Sequence, residues 1–336
     1  YLKSKQNTGQ NGMSKLIGVE IGGTKQQIAV GTADGTILDV RQVKLGEKTN
    51  AADILTWIRE NICRIMNECE VGGIGVGFGG PLESCSGRVL CSLQVPGWKD
   101  FRLKDWFEEH FNVRSVIVND TVLGGIGELI LGNGAGSSRF FYTNIGTGIG
   151  GGLYIDRRYY DGSGYGACYL GNTWVPDWRG AVMGECSVPG AGTRLELICS
   201  GKSIEERLNI PGYVPAGSVL AKKGGRITCQ DLAEGAGRND RFCREELERT
   251  ASTFSIGLAN VLAIAAPDRI AIGGGVAKMG EPLFSRIRKY TDEYSFVADR
   301  GHYEIVESSL MDHAVLAGGL LVAGRPQLAG WKGEKE

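Results

Sequence analysis

Histidine is nearly missing from this chain: His110, His302 and His313 are the only three among 336 residues. Nine cysteines are scattered along it, and no two stand as CxC or CxxC. A zinc site of the Cys/His type therefore has little to draw on. The odd count and wide spacing also exclude the dense disulfide framework of a small secreted domain, and they favour a reducing cytoplasm. No apolar run approaches the roughly 20 residues that span a bilayer, so no membrane partner is expected. Neither charge dominates. Lys and Arg total 37, Asp and Glu 38, and a formal charge of −1 gives no electrostatic ground for nucleic-acid binding. The opening YLKSKQNTGQNG is polar and lacks the apolar core of a secretory signal. Met13 before SKLIGVE reads as the natural start, and residues 1–12 as a leader or an expression remnant.

Glycine is what the chain has in excess, with 53 residues. They cluster at 22–23, 72–80, 146–152, 162–171 and 273–275, without the strict period of collagen. Several clusters follow apolar, β-rich runs. Glycine at a strand end lets backbone approach a ligand closely, so these clusters point to a shared cleft, with tight turns as the alternative. At 42% hydrophobic and 22% charged, the composition is that of a globular protein, and the length suggests two domains.

Hydrophobic spacing predicts strands at 16–19, 26–30 and 36–43, a helix at 51–66, a strand at 73–78, a helix at 103–111 and a strand at 115–118. The second half begins alike, with strands at 140–145, 151–155 and 157–160. Glu20-Ile21-Gly22-Gly23 falls on Asn144-Ile145-Gly146-Thr147, 124 residues further along, and this suggests two copies of one α/β unit. Beyond lie an irregular, polar, helical insertion at about 200–245, a long helix at 245–265, a strand at 269–272 and a small-residue helix from 314.

In two facing α/β units, the glycine turns point into one cleft. Without a Cβ, backbone N–H groups can face phosphate oxygens, and Thr24 and Thr147 add hydroxyl donors. The strand–loop–helix GxxxxGK[ST] loop is absent. IAIGGGVAKMG is read as ending a strand and opening a helix, whose N-terminus would favour negative charge near an adenosine. Asn119 and Asp120 follow a strand. At that position a carboxylate points into the ligand crevice and suits a general base; the alternative is a helix cap at Asp120.

GVEIGGTK, VPGWKDF, VNDTVLGGIGE, NIGTGIGGG and PDRIAIGGGVAKMG, in this order, resemble the ROK sugar kinases (repressor, open reading frame, kinase) over about residues 15–325. The resemblance implies an α/β, actin-like, hexokinase-type fold with two ribonuclease-H-like domains around a central cleft. Residues 13–121, with a C-terminal helix at about 314–331, would form one domain, and 122–313 the other. It also implies transfer of the γ-phosphate of ATP, with Mg2+, to a hydroxyl of a hexose or amino sugar. Gly22, Gly23, Thr24, Lys25, Gly146, Thr147 and Gly148 would cradle the phosphates. Gly273, Gly274 and Gly275 would lie near the adenosine, and Glu20 would hold magnesium through water. Asn119 and Asp120 would hold the sugar, with Asp120 as base. Many members are dimers, so a homodimer is expected.

The pattern breaks in two places. Where the family carries GExGH, whose glutamate and histidine grip the sugar and whose histidine also binds zinc, this chain has GYGACYLGNTW, with Tyr169 and Asn172 at those positions. Where the family carries a CxCGxxGCxE zinc loop, it has ECSVPGAGTRLE, with only Glu196 kept. Cys168, Cys186 and Cys199 are too irregular to substitute, so no zinc is expected. Tyr169, Asn172, Glu196 and Gln94 remain candidate sugar contacts, and their change should alter substrate choice. A non-catalytic sugar or nucleotide sensor on the same fold is the alternative. A DNA-binding repressor would need a helix-turn-helix domain, and about 15 residues precede the first strand here.

Overall fold

The structure is a computed structural model that describes residues 14–92, 94–179 and 192–330. The proposed leader, Cys186 and most of the segment aligned with the zinc loop lie outside these residues. Two five-stranded sheets organise the chain. In the first, β1 (Lys15–Ile21), β2 (Lys25–Gly31) and β3 (Ile37–Lys44) form an antiparallel meander. After α1 (Ala51–Glu68), β4 (Val71–Phe78) joins β1 in parallel. A small antiparallel sheet, β5 (Leu82–Glu83), β6 (Arg88–Cys91) and β7 (Lys99–Arg102), leads into α2 (Leu103–Phe111). β8 (Ser115–Asn119) then completes the order β3-β2-β1-β4-β8, and α3 (Asp120–Leu131) follows without a loop.

The second sheet repeats this plan. β9 (Arg139–Asn144), β10 (Gly152–Ile155) and β11 (Arg158–Tyr159) form its meander. β12 (Trp174–Pro176) and β13 (Gly192–Arg194) pair separately. A helical stretch follows: α4 (Glu196–Cys199), α5 (Gly201–Leu208), α6 (Cys229–Gly237) and α7 (Arg241–Ala265). β14 (Arg269–Gly273) pairs in parallel with β9. After α8 (Glu281–Tyr294), β15 (Glu304–Glu307) closes the order β11-β10-β9-β14-β15, and α9 (Ala314–Gly324) follows. The internal repeat read from the sequence is thus a repeat of sheet topology.

Local chemistry accounts for the boundaries. α1 buries Ile54, Ile58, Ile62 and Ile65 at helical spacing and starts with a capping box between Asn50 and Asp53. α7 begins four residues earlier than the apolar pattern indicates, because Asp240 caps it through the Cys243 amide. α9 carries no charge inside its span and lies on the first sheet, against β1 and β4. A Cβ on Gly75 would collide with the Gly319 carbonyl, and one on Gly18 would stand 2.6 Å from the Leu316 carbonyl. Part of the 72–80 glycine cluster therefore serves helix–sheet packing rather than a ligand. α9 stops at Gly324 and gives way to a short 3-10 turn, Pro326–Ala329, so the predicted helix to 331 is too long. Pro326 cannot donate to a continuing helix.

Candidate active site

The ends of β1 and β9 face one region. In the first turn, the Gly22 amide donates to the Lys25 carbonyl at 3.2 Å, and the Gly79 amide donates to the Ile21 carbonyl at 2.9 Å. This places Gly79, from the end of β4, beside Gly22. A Cβ on Gly79 would lie 3.1 Å from Asp120 Oδ2 and 3.6 Å from the Gly22 Cα. The missing side chain thus leaves room between the turn and the carboxylate. In the second turn, the Gly146 amide donates to the Gly148 carbonyl at 2.9 Å. The third glycine cluster is knitted to it: the Ile145 amide donates to Gly273 and the Val276 amide to Ile145. Gly274 has φ 90° and abuts the Ile145 carbonyl, a position closed to other residues on both counts. IAIGGGVAKMG ends β14 and leads, through a 3-10 turn at Ala277–Met279 and Gly280 with φ 66°, into α8 at Glu281.

Asp120 opens α3. Its Oδ1 accepts from the Thr121 amide at 2.7 Å, while no described residue donates to Oδ2, the oxygen that faces Gly79. Burial raises its pKa, partly offset by the Thr121 hydrogen bonds. The helix cap is Asn119, whose Oδ1 accepts from the Thr121 amide at 3.0 Å. The cap role weighed for Asp120 therefore belongs to its neighbour. Asn119 Nδ2 also donates to the carbonyls of Phe78 and Gly80, at 3.3 and 3.2 Å. It ties the backbone leaving β4 to the end of β8.

Glu20 accepts from Gln27 Nε2 at 2.6 Å, across the β1–β2 pair, and lies 3.9 Å from Lys25 Nζ. Burial raises its pKa against the pull of Lys25 and Gln27, and the charges of Asp120 and Asp312 push the same way as burial. A carboxylate lifted by burial and by two like charges suits a nearby cation. Lys25 also lies near enough to Asp312 to help hold its pKa down, where Lys278 Nζ is the closest partner at 2.7 Å. Lys278 is a charged residue of this region that glycine patterning does not mark.

Gln94 lies between the two turns. Its side chain covers Gly23, and its amide nitrogen stands 3.7 Å from where a Gly148 Cβ would be. Glu196 reaches the second turn from the other side, its Oε2 accepting from the Ile149 amide at 2.9 Å. No described donor reaches Oε1.

The two departures from the motif settle differently. Tyr169 lies beside Asn119 along a small cavity; burial raises its pKa, and the charges of Asp161 and then Asp120 push the same way. Its hydroxyl donates to the Tyr165 carbonyl at 2.9 Å, over Gly166. Asn172 is exposed, and its Oδ1 accepts from Arg194 Nη1 at 3.4 Å. Counting back from Glu196, Arg194 holds the place of the last cysteine in CxCGxxGCxE, so an Asn–Arg contact joins two positions that the motif gives to histidine and cysteine. Cys168 has φ 62°, and Cys199 is buried with its thiol toward the Thr250 carbonyl. Among the described residues no group of three or more His, Cys, Asp or Glu side chains could hold a metal ion. Thr121, Asn144 and Arg194 are contributors that sequence reasoning missed; Thr121 and Asn144 lie inside quoted motifs, which is the only signal they give.

The sequence profile of the ROK family matches residues 16–325. The chain belongs to the ROK family. Among curated ROK relatives, a glucokinase of Halalkalibacterium halodurans is 29% identical over 318 residues, which cover 91% of this chain and 94% of that one. A xylose repressor of Caldicellulosiruptor bescii is 26% identical and is matched over 77% of its own length. The crystal structure of a ROK family glucokinase from Streptomyces griseus, in complex with glucose and AMPPNP, superposes with a TM-score of 0.77 at 25% identity, covering 92% of this chain and 99% of that one. The fold is the actin-like, hexokinase-type fold of this family. No helix among the described residues is long and apolar enough to cross a membrane.

Proposed function

We propose that this ROK protein is an ATP-dependent kinase that phosphorylates a hydroxyl of a hexose or amino sugar, without zinc. The observation that carries the reading is the free Oδ2 of Asp120 beside Gly79 and the first glycine turn, in the same region as the second turn. In this reading Asp120 Oδ2 takes the proton of the acceptor hydroxyl. The sugar oxygen bonds to the γ-phosphorus, the bond from that phosphorus to the bridging oxygen breaks, and ADP leaves. The amides of Gly22, Gly23, Thr24 and Lys25, and of Gly146, Thr147 and Gly148, hold the phosphates, with Gly273, Gly274 and Gly275 beside the adenosine. Magnesium, when bound, neutralises triphosphate charge, and Glu20 would hold it through water, with the phosphates supplying the remaining oxygens. Asn119 shapes the sugar site through the Phe78 and Gly80 carbonyls. Glu196 Oε1, Tyr169 and Asn172 form the rest of its wall, and Gln94 lies between the two turns.

In this reading residues 13–121 with the C-terminal helix form one lobe and 122–313 the other, the protein works as a homodimer, and its compartment is the cytoplasm. The test is a panel of hexoses and amino sugars with ATP and Mg2+, assayed for ADP release by the wild type and by Asp120→Ala. Turnover that survives Asp120→Ala refutes the base. The sensor reading draws support from one observation, the Tyr169 hydroxyl and Asn172 being engaged within the protein. Binding of a panel sugar without any turnover would favour it.

A further inference from the structure

Helix α4 has four residues, too few to be held by its own backbone ladder. Three of its successive carbonyls are each captured by a side chain. Ser203 Oγ donates to Glu196 at 3.1 Å, Arg179 Nη1 to Leu197 at 2.8 Å and Arg207 Nη1 to Ile198 at 3.1 Å. The two arginines are themselves fixed. Arg179 forks onto Asp177 at 2.9 and 2.7 Å. Arg207 is buried, pairs with the buried Glu246 at 2.7 Å and lies 5.0 Å from the centre of the Trp178 ring. Tyr213 and Arg249 saturate the other oxygen of Glu246, at 2.8 and 2.9 Å.

The far side of this assembly meets the second glycine turn at two points. The Ile149 amide donates to Glu196 Oε2, and the Gly201 amide, one residue past the end of the α4–Ser200 junction, donates to the Gly146 carbonyl at 2.7 Å. Both brackets of the turn therefore hang on where α4 sits.

We propose that Arg179, Ser203 and Arg207 are positioning residues for Glu196: by holding three consecutive carbonyls they set where its carboxylate meets the second turn and the sugar. This deepens the kinase reading and rests on it for the sugar contact alone. A side chain preorganised in this way binds its ligand without ordering it first, so loosening the clamp raises the cost of sugar binding most, with a smaller loss at the phosphate turn that α4 also brackets.

The test uses the full chain carrying Arg179→Gln and Ser203→Ala together, which leaves the buried Arg207–Glu246 pair intact and should fold. With glucose, or with the panel sugar phosphorylated fastest, its KM for sugar should rise about tenfold, and KM for ATP by clearly less. In a Glu196→Ala background the same pair of substitutions should add nothing. Equal losses in both backgrounds, or an unmoved sugar KM, overturn the proposal. Hydrogen exchange of the Ile149 amide in the ligand-free protein gives a second reading that needs no activity. It should quicken about tenfold in the double variant and in Glu196→Ala, without summing when the two are combined. A responsive amide in a protein that turns over no sugar sinks the kinase reading and keeps the clamp; an unresponsive amide in an active enzyme does the reverse. Arg207→Lys keeps the charge but loses the fork, and should shift both readings the same way.

Discussion

Thr121 Oγ1 donates to Asn144 Oδ1 at 2.9 Å, and the same oxygen accepts from the Gly150 amide at 2.9 Å. Thr121 follows Asp120, and Asn144 ends β9 at the second turn. One side-chain oxygen thus couples the candidate base to the turn contributed by the other sheet. Asn144 is the counterpart of Glu20 in the internal repeat. The first copy kept an acid there and the second an amide, which can serve as a junction without adding a third negative charge.

Thr121→Val keeps shape and removes this coupling. Asn144 Oδ1 keeps the Gly150 amide as a donor, so the loss of this one hydrogen bond costs about 0.5–1.5 kcal/mol. We expect kcat to fall about tenfold, with sugar affinity measured by calorimetry nearly unchanged. An unaltered kcat would show that the link carries no catalytic alignment.

Asp120→Asn should lower kcat about 10² to 10⁴-fold, the range for a positioned general base. It should also stabilise the fold. Because the folded-state pKa of Asp120 is raised, the folded protein holds that proton more tightly than the unfolded chain does. The group then favours folding below its ordinary pKa, and this contribution is lost as pH rises toward the raised value. At neutral pH the buried charge costs stability, so the melting temperature of Asp120→Asn should exceed that of the wild type at pH 7, and the gap should close on acidification. A lower melting temperature at pH 7 would contradict the burial argument.

The same direction of shift sets the acid limb of the rate. With Asp120 as base, kcat/KM for sugar should fall as pH drops, with a midpoint above the ordinary carboxylate range. Asp120→Asn should flatten that limb while leaving ATP binding intact.

Glu20→Ala should raise the magnesium concentration for half-maximal activity about tenfold, an effect typical of losing an outer-shell partner. Glu20→Asp, one methylene shorter, should restore most of it. Equal magnesium dependence in all three proteins would remove Glu20 from the metal's surroundings.

Gln94 covers Gly23 and approaches Gly148, across the space that a triphosphate would enter. Gln94→Ala should therefore lower KM for ATP several-fold with little change in kcat. A rise in sugar KM instead would make Gln94 a sugar contact, the role the sequence resemblance gives it.

Much of the architecture was legible in the sequence. Short apolar stretches mark most of both meanders, because β1, β2, β9 and β10 bury most of their length. The isoleucines of α1 mark its buried stripe. The repeat of Glu20–Gly23 at Asn144–Thr147 reveals the duplication, and the strand before Asp120 places its carboxylate at a sheet's end. Residue order also carried the family, since five short motifs in series identify a fold that none of them identifies alone.

Other features depended on chain segments far apart in sequence. Gly75 and Gly79 stand in one cluster, yet one admits α9 and the other leaves room beside Asp120; only the docking of α9 separates them. The hydrogen bonds of Asn119, the Thr121–Asn144 link, the place of Gln94 between the turns and the three donors on α4 join residues whose spacing carries no period. Hydrophobic periodicity records which face of an element is buried, and a polar contact between two elements leaves no such record. Local burial therefore fixed the strands and helices from the sequence, while the packing of the two sheets decided which polar side chains meet.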